Sequence, residues 1–297
     1  MNRTNLNWFT TSRGEAPRLV WTHVLNNPPA SLAYARETGQ LAIADTRGGL
    51  FVIDRSGEFR LLAGSSQQLR SLVWSDDGSC GFALAGESRL HWIRSDLSVS
   101  ATIELPEPAL AVACEAFGRY AAVSLANSMT LLFDSPRQPI RQFATTRPLT
   151  QLAFLIEQPG IVAIADYGLV CRYGFRGELQ WQTSTFSSVG DFSLSSDGDS
   201  ILVAGFGQGL LRFDSGGNSI GSYQLGGTVC RVASSYSGDR TAAATQELEL
   251  FWLGADGQTL WSGKLLELPL FLACHPWGTG LILGLPSGRV ARLDWTT

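Results

Sequence analysis

The chain holds three histidines, His23, His91 and His275, and with its acids and thiols these are the first residues to weigh for metal or acid–base chemistry. A closed zinc site needs four ligands and a catalytic one three. His23 and His275 share one repeat of the chain but bring no third ligand, so all three read as structural or surface histidines. Asp45 and Asp166 each close an Ile-Ala-Asp tripeptide. Facing one opening they would suit a cation, yet Asp at a strand end more commonly opens a turn by bonding its own backbone, and that reading is preferred. Gly205-Phe206-Gly207-Gln208-Gly209 has the glycine density of a phosphate loop but no following Lys-Ser/Thr or helix, so it reads as a turn between strands. No serine is set with a histidine by pattern, as a nucleophile requires. No catalytic residue, cofactor or metal is expected.

Five cysteines, Cys80, Cys114, Cys171, Cys230 and Cys274, are odd in number and form no C-x-x-C pair, so neither a disulfide framework nor a zinc site is supported. Three lie inside apolar strand patterns and read as buried thiols in a reducing compartment. The opening stretch MNRTNLNWFTTSRGEAPRL lacks an apolar core for a signal peptide, and no segment approaches 18 uninterrupted apolar residues. A cytoplasmic monomer is the expectation, with no membrane partner. The net charge of −4 gives no long-range attraction for phosphate backbones, so no nucleic-acid partner is expected either. Nearly all positive charge is Arg, Lys264 being the only lysine.

The elements that must position any site follow from an internal repeat. A short apolar strand recurs at Leu32, Leu72, Val112, Leu152, Phe192, Val232 and Leu272, each 40 residues after the last. A second column, Ile53, Ile93, Phe133, Tyr173, Phe213, Leu253 and Leu293, keeps the same spacing. Between them lies a glycine turn, as in Ser75-Asp76-Asp77-Gly78 and Ser196-Asp197-Gly198, followed by short runs of small residues such as Ala121-Ala122-Val123-Ser124. Runs of four to six residues between turn signals are strands, and small side chains suit strands that converge on an axis. The first copy reads as strands a (31–35), b (40–45), c (49–54) and d (58–63). The fold class is therefore all-β: a seven-bladed β-propeller of four-stranded antiparallel blades starting near residues 30, 70, 110, 150, 190, 230 and 270.

The last repeat ends at Thr297 without a strand d. Trp21 lies an integral number of periods before Trp181 and Trp261, which share one position in strand d. Residues 18–25 are thus in frame to complete the seventh blade, leaving residues 1–17 as a leader and 18–297 as one domain.

Ser75-Asp76-Asp77-Gly78 and Ser196-Asp197-Gly198 resemble the S-P-D-G turn of WD40 repeats. Gly177-Glu178-Leu179-Gln180-Trp181 and Gly257-Gln258-Thr259-Leu260-Trp261 resemble the G-x-x-x-W docking element of quinoprotein-like repeats. No blade carries the Trp-Asp or Gly-His pair, so the WD40 side-chain network is not carried over. Seven blades also differ from the eight usual in quinone-cofactor enzymes. Resemblance to this group implies an interaction platform more often than an enzyme.

In such propellers the b–c turns and d–a loops share the face on which partners dock. The b–c turns here carry Arg47, Glu87, Arg89, Asn127, Asp166, Tyr167, Gln208, Glu247 and Arg289. Arg and Tyr with charges of both signs suit protein recognition better than nucleic acid. The expected function is a non-catalytic platform for an unidentified protein partner. The alternative is a small-ligand or enzymatic propeller with polar groups converging at the channel mouth.

Overall fold

In a computed structural model residues 8–64 and 68–295 are described. The strands run in chain order. Two precede the repeats: β1 (Phe9–Gly14) and β2 (Arg18–Val24). The first two repeats supply β3 (Pro29–Ala35), β4 (Gln40–Asp45), β5 (Gly49–Ile53), β6 (Phe59–Gly64), then β7 (Leu69–Trp74), β8 (Cys80–Ala85), β9 (Arg89–Arg94), β10 (Val99–Glu104). The third and fourth supply β11 (Ala109–Cys114), β12 (Ala121–Leu125), β13 (Met129–Phe133), β14 (Arg141–Ala144), then β15 (Leu149–Phe154), β16 (Gly160–Ala165), β17 (Leu169–Gly174), β18 (Leu179–Ser184). The fifth and sixth supply β19 (Val189–Leu194), β20 (Ile201–Gly205), β21 (Gly209–Phe213), β22 (Ser219–Tyr223), then β23 (Val229–Ser234), β24 (Thr241–Thr245), β25 (Glu249–Leu253), β26 (Thr259–Leu265). The last holds β27 (Phe271–Cys274), β28 (Gly280–Gly284) and β29 (Arg289–Asp294).

These strands form seven antiparallel sheets, each a meander of strands a to d, and the fold is a seven-bladed β-propeller. The seventh sheet has the order β2-β29-β28-β27, so the N-terminal strand supplies its missing outer strand. The frame inferred from the tryptophans holds at the level of register. Trp21 pairs with Arg292, Trp181 with Arg172 and Trp261 with Trp252, the same position of strand c each time. One strand lies outside the repeat frame. β1, within the stretch read as a leader, adds antiparallel to β26 as a fifth strand of the sixth blade.

Two compact units can be distinguished, Pro29–Phe186 and a second built from the residues before Pro29 and after Phe186. Within each, the apolar core lies between neighbouring blades. The second column of the repeat is buried throughout, from Ile53 and Leu253 at 0% exposure to Phe213 at 5%. In the first unit one cluster joins Leu50 and Val52 to Leu72 and Trp74, and another joins Phe82 and Leu90 to Val123 and Phe133. In the second, Trp252 stacks on Trp295 at 4.5 Å, Trp295 meets Trp261 edge-on at 5.5 Å, and Phe9 meets Trp261 at 5.2 Å. Aromatic pairs of this kind add about 0.5–1.5 kcal/mol beyond the area they bury.

The 40-residue period also appears in the a–b turns. Asp76 N donates to Ala116 O (2.7 Å) in the first unit; Ser196 N donates to Tyr236 O (2.8 Å) and Tyr236 N to Pro276 O (2.9 Å) in the second. Each is a bond from one turn to the same turn of the next blade. Asp76 also accepts a two-pronged ion pair from Arg36 Nε (3.0 Å) and Nη2 (2.8 Å), 40 residues upstream. The turns that resemble WD40 repeats are closed by their own side chains: Ser75 Oγ donates to Asp77 Oδ1 (2.6 Å) and Ser195 Oγ to Asp197 Oδ1 (2.5 Å).

Candidate functional site

At the opposite end of the strands, the b–c turns and d–a loops are locked together by a repeated backbone bond. The amide that ends strand d donates to the last carbonyl of the same blade's b–c turn. In Pro29–Phe186 these bonds are Leu105 N to Ser88 O (2.7 Å), Thr145 N to Ser128 O (2.8 Å) and Thr185 N to Gly168 O (2.8 Å). In the other unit they are Leu265 N to Leu248 O (2.7 Å) and Leu25 N to Gly288 O (2.9 Å). A second bond, such as Ala126 N to Pro108 O (2.8 Å) or Gln246 N to Thr228 O (2.9 Å), holds the loop to the next blade's turn. Short loops fixed at both ends lose little conformational entropy on binding.

The last turn residue adopts positive φ, as at Gly48 (84°), Ser128 (64°), Leu248 (70°) and Gly288 (88°). Blade four goes further. The turn Asp166–Gly168 is a single 3-10 turn in which Tyr167 (φ 60°, ψ 31°) precedes Gly168 (φ 76°), so a bulky aromatic occupies the left-handed region as well. That conformation costs a non-glycine residue about 1 kcal/mol or more, and such costs concentrate at functional positions. Tyr167 is 81% exposed, and Phe186, one residue beyond the Thr185–Gly168 bond, is 98% exposed. The Arg147 guanidinium lies 5.4 Å from the Tyr167 ring centroid while Nη1 donates to Asp166 O (3.0 Å). Arg147 and Tyr167 are therefore fixed against one another at the tip of blade four, and the exposed Phe186 follows the residue whose amide bonds that turn.

The other turn residues singled out from sequence are placed as follows. Within Pro29–Phe186, Arg47, Glu87 and Asn127 are exposed. Asn127 Oδ1 accepts from Met129 N (3.1 Å), which ties it to its own turn. Arg89 begins β9 and pairs with Glu104 (2.6 Å), so its charge is already answered. In the second unit, Gln208 Oε1 accepts from Ser187 Oγ (3.1 Å), and Glu247 accepts from Thr228 N (2.7 Å) and Oγ1 (3.2 Å). The Thr228 amide holds the Glu247 carboxyl below its ordinary pKa. Arg289 sits 5.9 Å from the ring centroid of the buried Trp8 and donates to Thr22 Oγ1 (3.4 Å). Arg89, Gln208, Glu247 and Arg289 thus have side-chain partners within the fold, while Arg47, Glu87, Asn127, Asp166, Tyr167 and also Glu247 are exposed. Phe186 and Arg147 lie on d–a loops and were not singled out; an aromatic among serines in Thr185-Phe186-Ser187-Ser188 was the available signal.

The remaining chemical candidates resolve into structure. Asp45 is 2% exposed, and its Oδ1 accepts from Arg47 N (2.8 Å) and Gly49 N (2.7 Å). Asp166 lies one position later in its repeat, past the end of β16, and is exposed. The identical tripeptides are therefore out of frame and the two carboxylates are not equivalent. The strand-b ends are Asp45, Ala85, Leu125 and Ala165 in one unit and Gly205, Thr245 and Gly284 in the other, which gives no convergence of polar groups in either. His91 is buried and shares a hydrogen bond with Thr102 Oγ1 (2.7 Å); burial first, then Arg89, lowers its pKa, against an opposing pull from Glu104. His23 lies on β2 and His275 just past β27, the two edges of one four-stranded sheet. Three strand spacings, about 14 Å, are too wide for a shared ion. Among the described residues no group of three or more His, Cys, Asp or Glu could hold a metal ion. All five cysteines are free, and burial raises the Cys171 thiol to about 12. Gly207 (φ 79°) and Gly209 (φ 75°) shape the hairpin between β20 and β21, which accounts for that glycine run. Gly217-Asn218-Ser219-Ile220-Gly221 matches the letters of a serine-nucleophile elbow, but Ser219 opens an exposed outer strand and no strand-to-helix turn is present.

One titratable group went unnoticed in the sequence. Asp191, on the inner strand β19, accepts from Phe192 N (3.0 Å) through Oδ1 and from Val232 N (3.1 Å) through Oδ2. Ser31 makes the same bond one blade apart, accepting from Leu72 N (2.9 Å). Burial raises the Asp191 pKa to about 6, against the opposing pull of the Val232 amide and Arg231.

Among the described residues no helix is long and apolar enough to cross a membrane. No protein-family model matches the chain, and no curated protein matches it.

Proposed function

We propose that the chain is a non-catalytic propeller of the WD40 or quinoprotein-like type, acting as a monomeric platform that binds a protein partner through its b–c turns and d–a loops. The observation that carries this reading is the blade-four tip, where a strained, exposed Tyr167 carries the Arg147 guanidinium over its ring and a backbone bond from Thr185 ties the turn to the loop that bears the exposed Phe186. Tyr and Arg are the residues most enriched at interface hot spots, and rigid aromatics lose little entropy on burial. Arg47 extends the same unit's outward-facing charge. An enzymatic reading would need convergent polar groups at the strand-b ends. The two polar ends, Asp45 and Thr245, both bond their own turns, the latter accepting from Glu249 N (3.3 Å).

The test is quantitative affinity capture with wild type, Tyr167→Gly, and Tyr167→Ser combined with Phe186→Ser. Glycine removes the aromatic ring and relieves the backbone, so this variant should melt no lower than wild type. A hot-spot loss of about 2 kcal/mol corresponds to roughly 30-fold weaker binding. The partner retained by wild type should therefore be lost from both variants. Equal recovery by all three proteins would remove the blade-four patch as the binding face.

A further inference from the structure

The edge of blade six is the one place among the described residues where a fifth strand is added to a sheet that already has strands a to d. β1 pairs with β26 from Phe9 opposite Leu265 to Gly14 opposite Trp261, with a register shift between Phe9 and Thr11. Apart from Phe9, every residue of β1 is exposed. The strand is therefore held by backbone hydrogen bonds, which any extended sequence can make, by a long bond from Thr10 Oγ1 to Lys264 O (3.4 Å), by Trp295 Nε1 donating to Glu15 O (3.0 Å) just beyond it, and by one aromatic anchor. Trp8 is 4% exposed and packs on Phe9 at 4.6 Å, and Phe9 meets the Trp261 ring edge-on at 5.2 Å. At its other end Gly14, at a φ of +85°, approaches so closely that a Cβ would collide with Leu260 O, so the slot demands glycine there.

The fit between these ends is incomplete. A cleft of about 350 Å³ remains between β1 and the face of β25 and β26, with Arg13, Glu249, Phe251 and Thr259 in its walls. Arg13 stands opposite Ser262, which stands opposite Phe251, so the side chain at the Arg13 position overlies this cleft. Only Glu15–Pro17 join β1 to β2.

We propose that the edge of blade six is a β-strand acceptor site that the chain's own N-terminal strand masks in cis. Its partner is an extended peptide segment from another protein, carrying two adjacent aromatic residues, a large apolar residue four positions after the second, and a glycine next. Such a segment reproduces the Trp8-Phe9 anchor and the Gly14 approach, and it fills the cleft that Arg13 leaves open. Addition of a strand to a sheet edge takes its affinity from backbone bonds and its specificity from the pockets for side chains.

The probes are fluorescein-labelled peptides with the sequence of residues 8–15: the native one, one with Arg13→Phe, and one with both Trp8 and Phe9 changed to Ala. Full-length wild type and full-length Trp8→Ala/Phe9→Ala protein are titrated with each. The released variant should bind the native peptide at least 10-fold tighter than wild type does. The Arg13→Phe peptide should bind tighter still, and the double-alanine peptide at least 10-fold weaker. A released variant that keeps its near-ultraviolet circular dichroism yet binds no tighter than wild type overturns the proposal, as does one that sediments as a dimer. A Thr11→Cys/Lys264→Cys protein, paired opposite one another in the strand register, covers the case in which release unfolds the chain. Cross-linked, it should bind no Arg13→Phe peptide; reduced, it should recover wild-type binding of that peptide. Identical binding in the two states also overturns the proposal.

Discussion

Removing residues 1–26 should abolish the cooperative unfolding transition, whereas removing residues 1–16 should leave it in place at a lower temperature. The longer deletion takes away β2, which pairs with β29 from Arg18 opposite Asp294 to Val24 opposite Arg289 and buries Trp21 to 9% exposure. A run of ladder bonds at about 1 kcal/mol each, with the roughly 3–5 kcal/mol that a buried tryptophan contributes, is comparable to the whole 5–15 kcal/mol stability of a domain. β29 would also become an unpaired edge, which invites aggregation. The shorter deletion takes only β1 and the Trp8 contact, and the seventh blade stays whole. Calorimetry with chemical denaturation of both truncations checks this. A 1–26 deletion that melts like wild type would show that β2 does not hold the fold together.

The second large effect concerns Asp191. Its pKa, raised from 3.8 to about 6 by burial, means the folded state binds the proton more tightly than the unfolded chain does. Stability is therefore lost as pH rises from about 4 to 6, and the carboxylate form is the costly one above that window. About two pH units correspond to at most ~3 kcal/mol. Asp191→Asn stays neutral and keeps an oxygen for the Val232 amide, but it leaves the Phe192 amide without its acceptor, a cost that does not vary with pH. On top of that fixed offset, its stability relative to wild type should rise through pH 4–6 and level off above 6.5, by at most ~3 kcal/mol. Urea midpoints at half-unit pH steps measure it. A difference that does not vary with pH would show that the Asp191 charge is not the cause.

The parts of this fold that were legible in sequence are those the period constrains. Ile53 and its column are buried because each sits at the same place between blades, and Trp21 could be placed because it falls on that grid. β1 was not legible, because Phe9–Gly14 copies no element of the repeat and its partner β26 lies about 250 residues away. The turn residues were only half legible. Arg89 and Arg289, read as turn residues, open strand c instead, and what each side chain does depends on neighbours the spacing does not encode. Glu104 claims Arg89, Thr228 claims Glu247, and Trp8 lies under Arg289. Asp166 misled because its tripeptide copies that of Asp45 one position out of frame, where the backbone turns instead of ending a strand. Phe186 escaped because only the long-range bond from Thr185 to Gly168 joins its loop to the Tyr167 turn.

The pairing of β2 with β29 also constrains how the chain reaches its native state. Thr22 and Arg289 are 267 residues apart, whereas the hairpins of each blade close over short loops. Loop-closure entropy and contact order place the long-range pairing last. At roughly 5–20 residues per second of synthesis, β2 would wait on the order of 15–50 s for its partner to be made. During that time the segment Arg18–Val24 is an unpaired apolar strand, and the arginine at its start acts as a charge that discourages wrong pairing. The sixfold run of complete repeats can form as it is synthesised; the seventh blade is the step at which folding waits on translation.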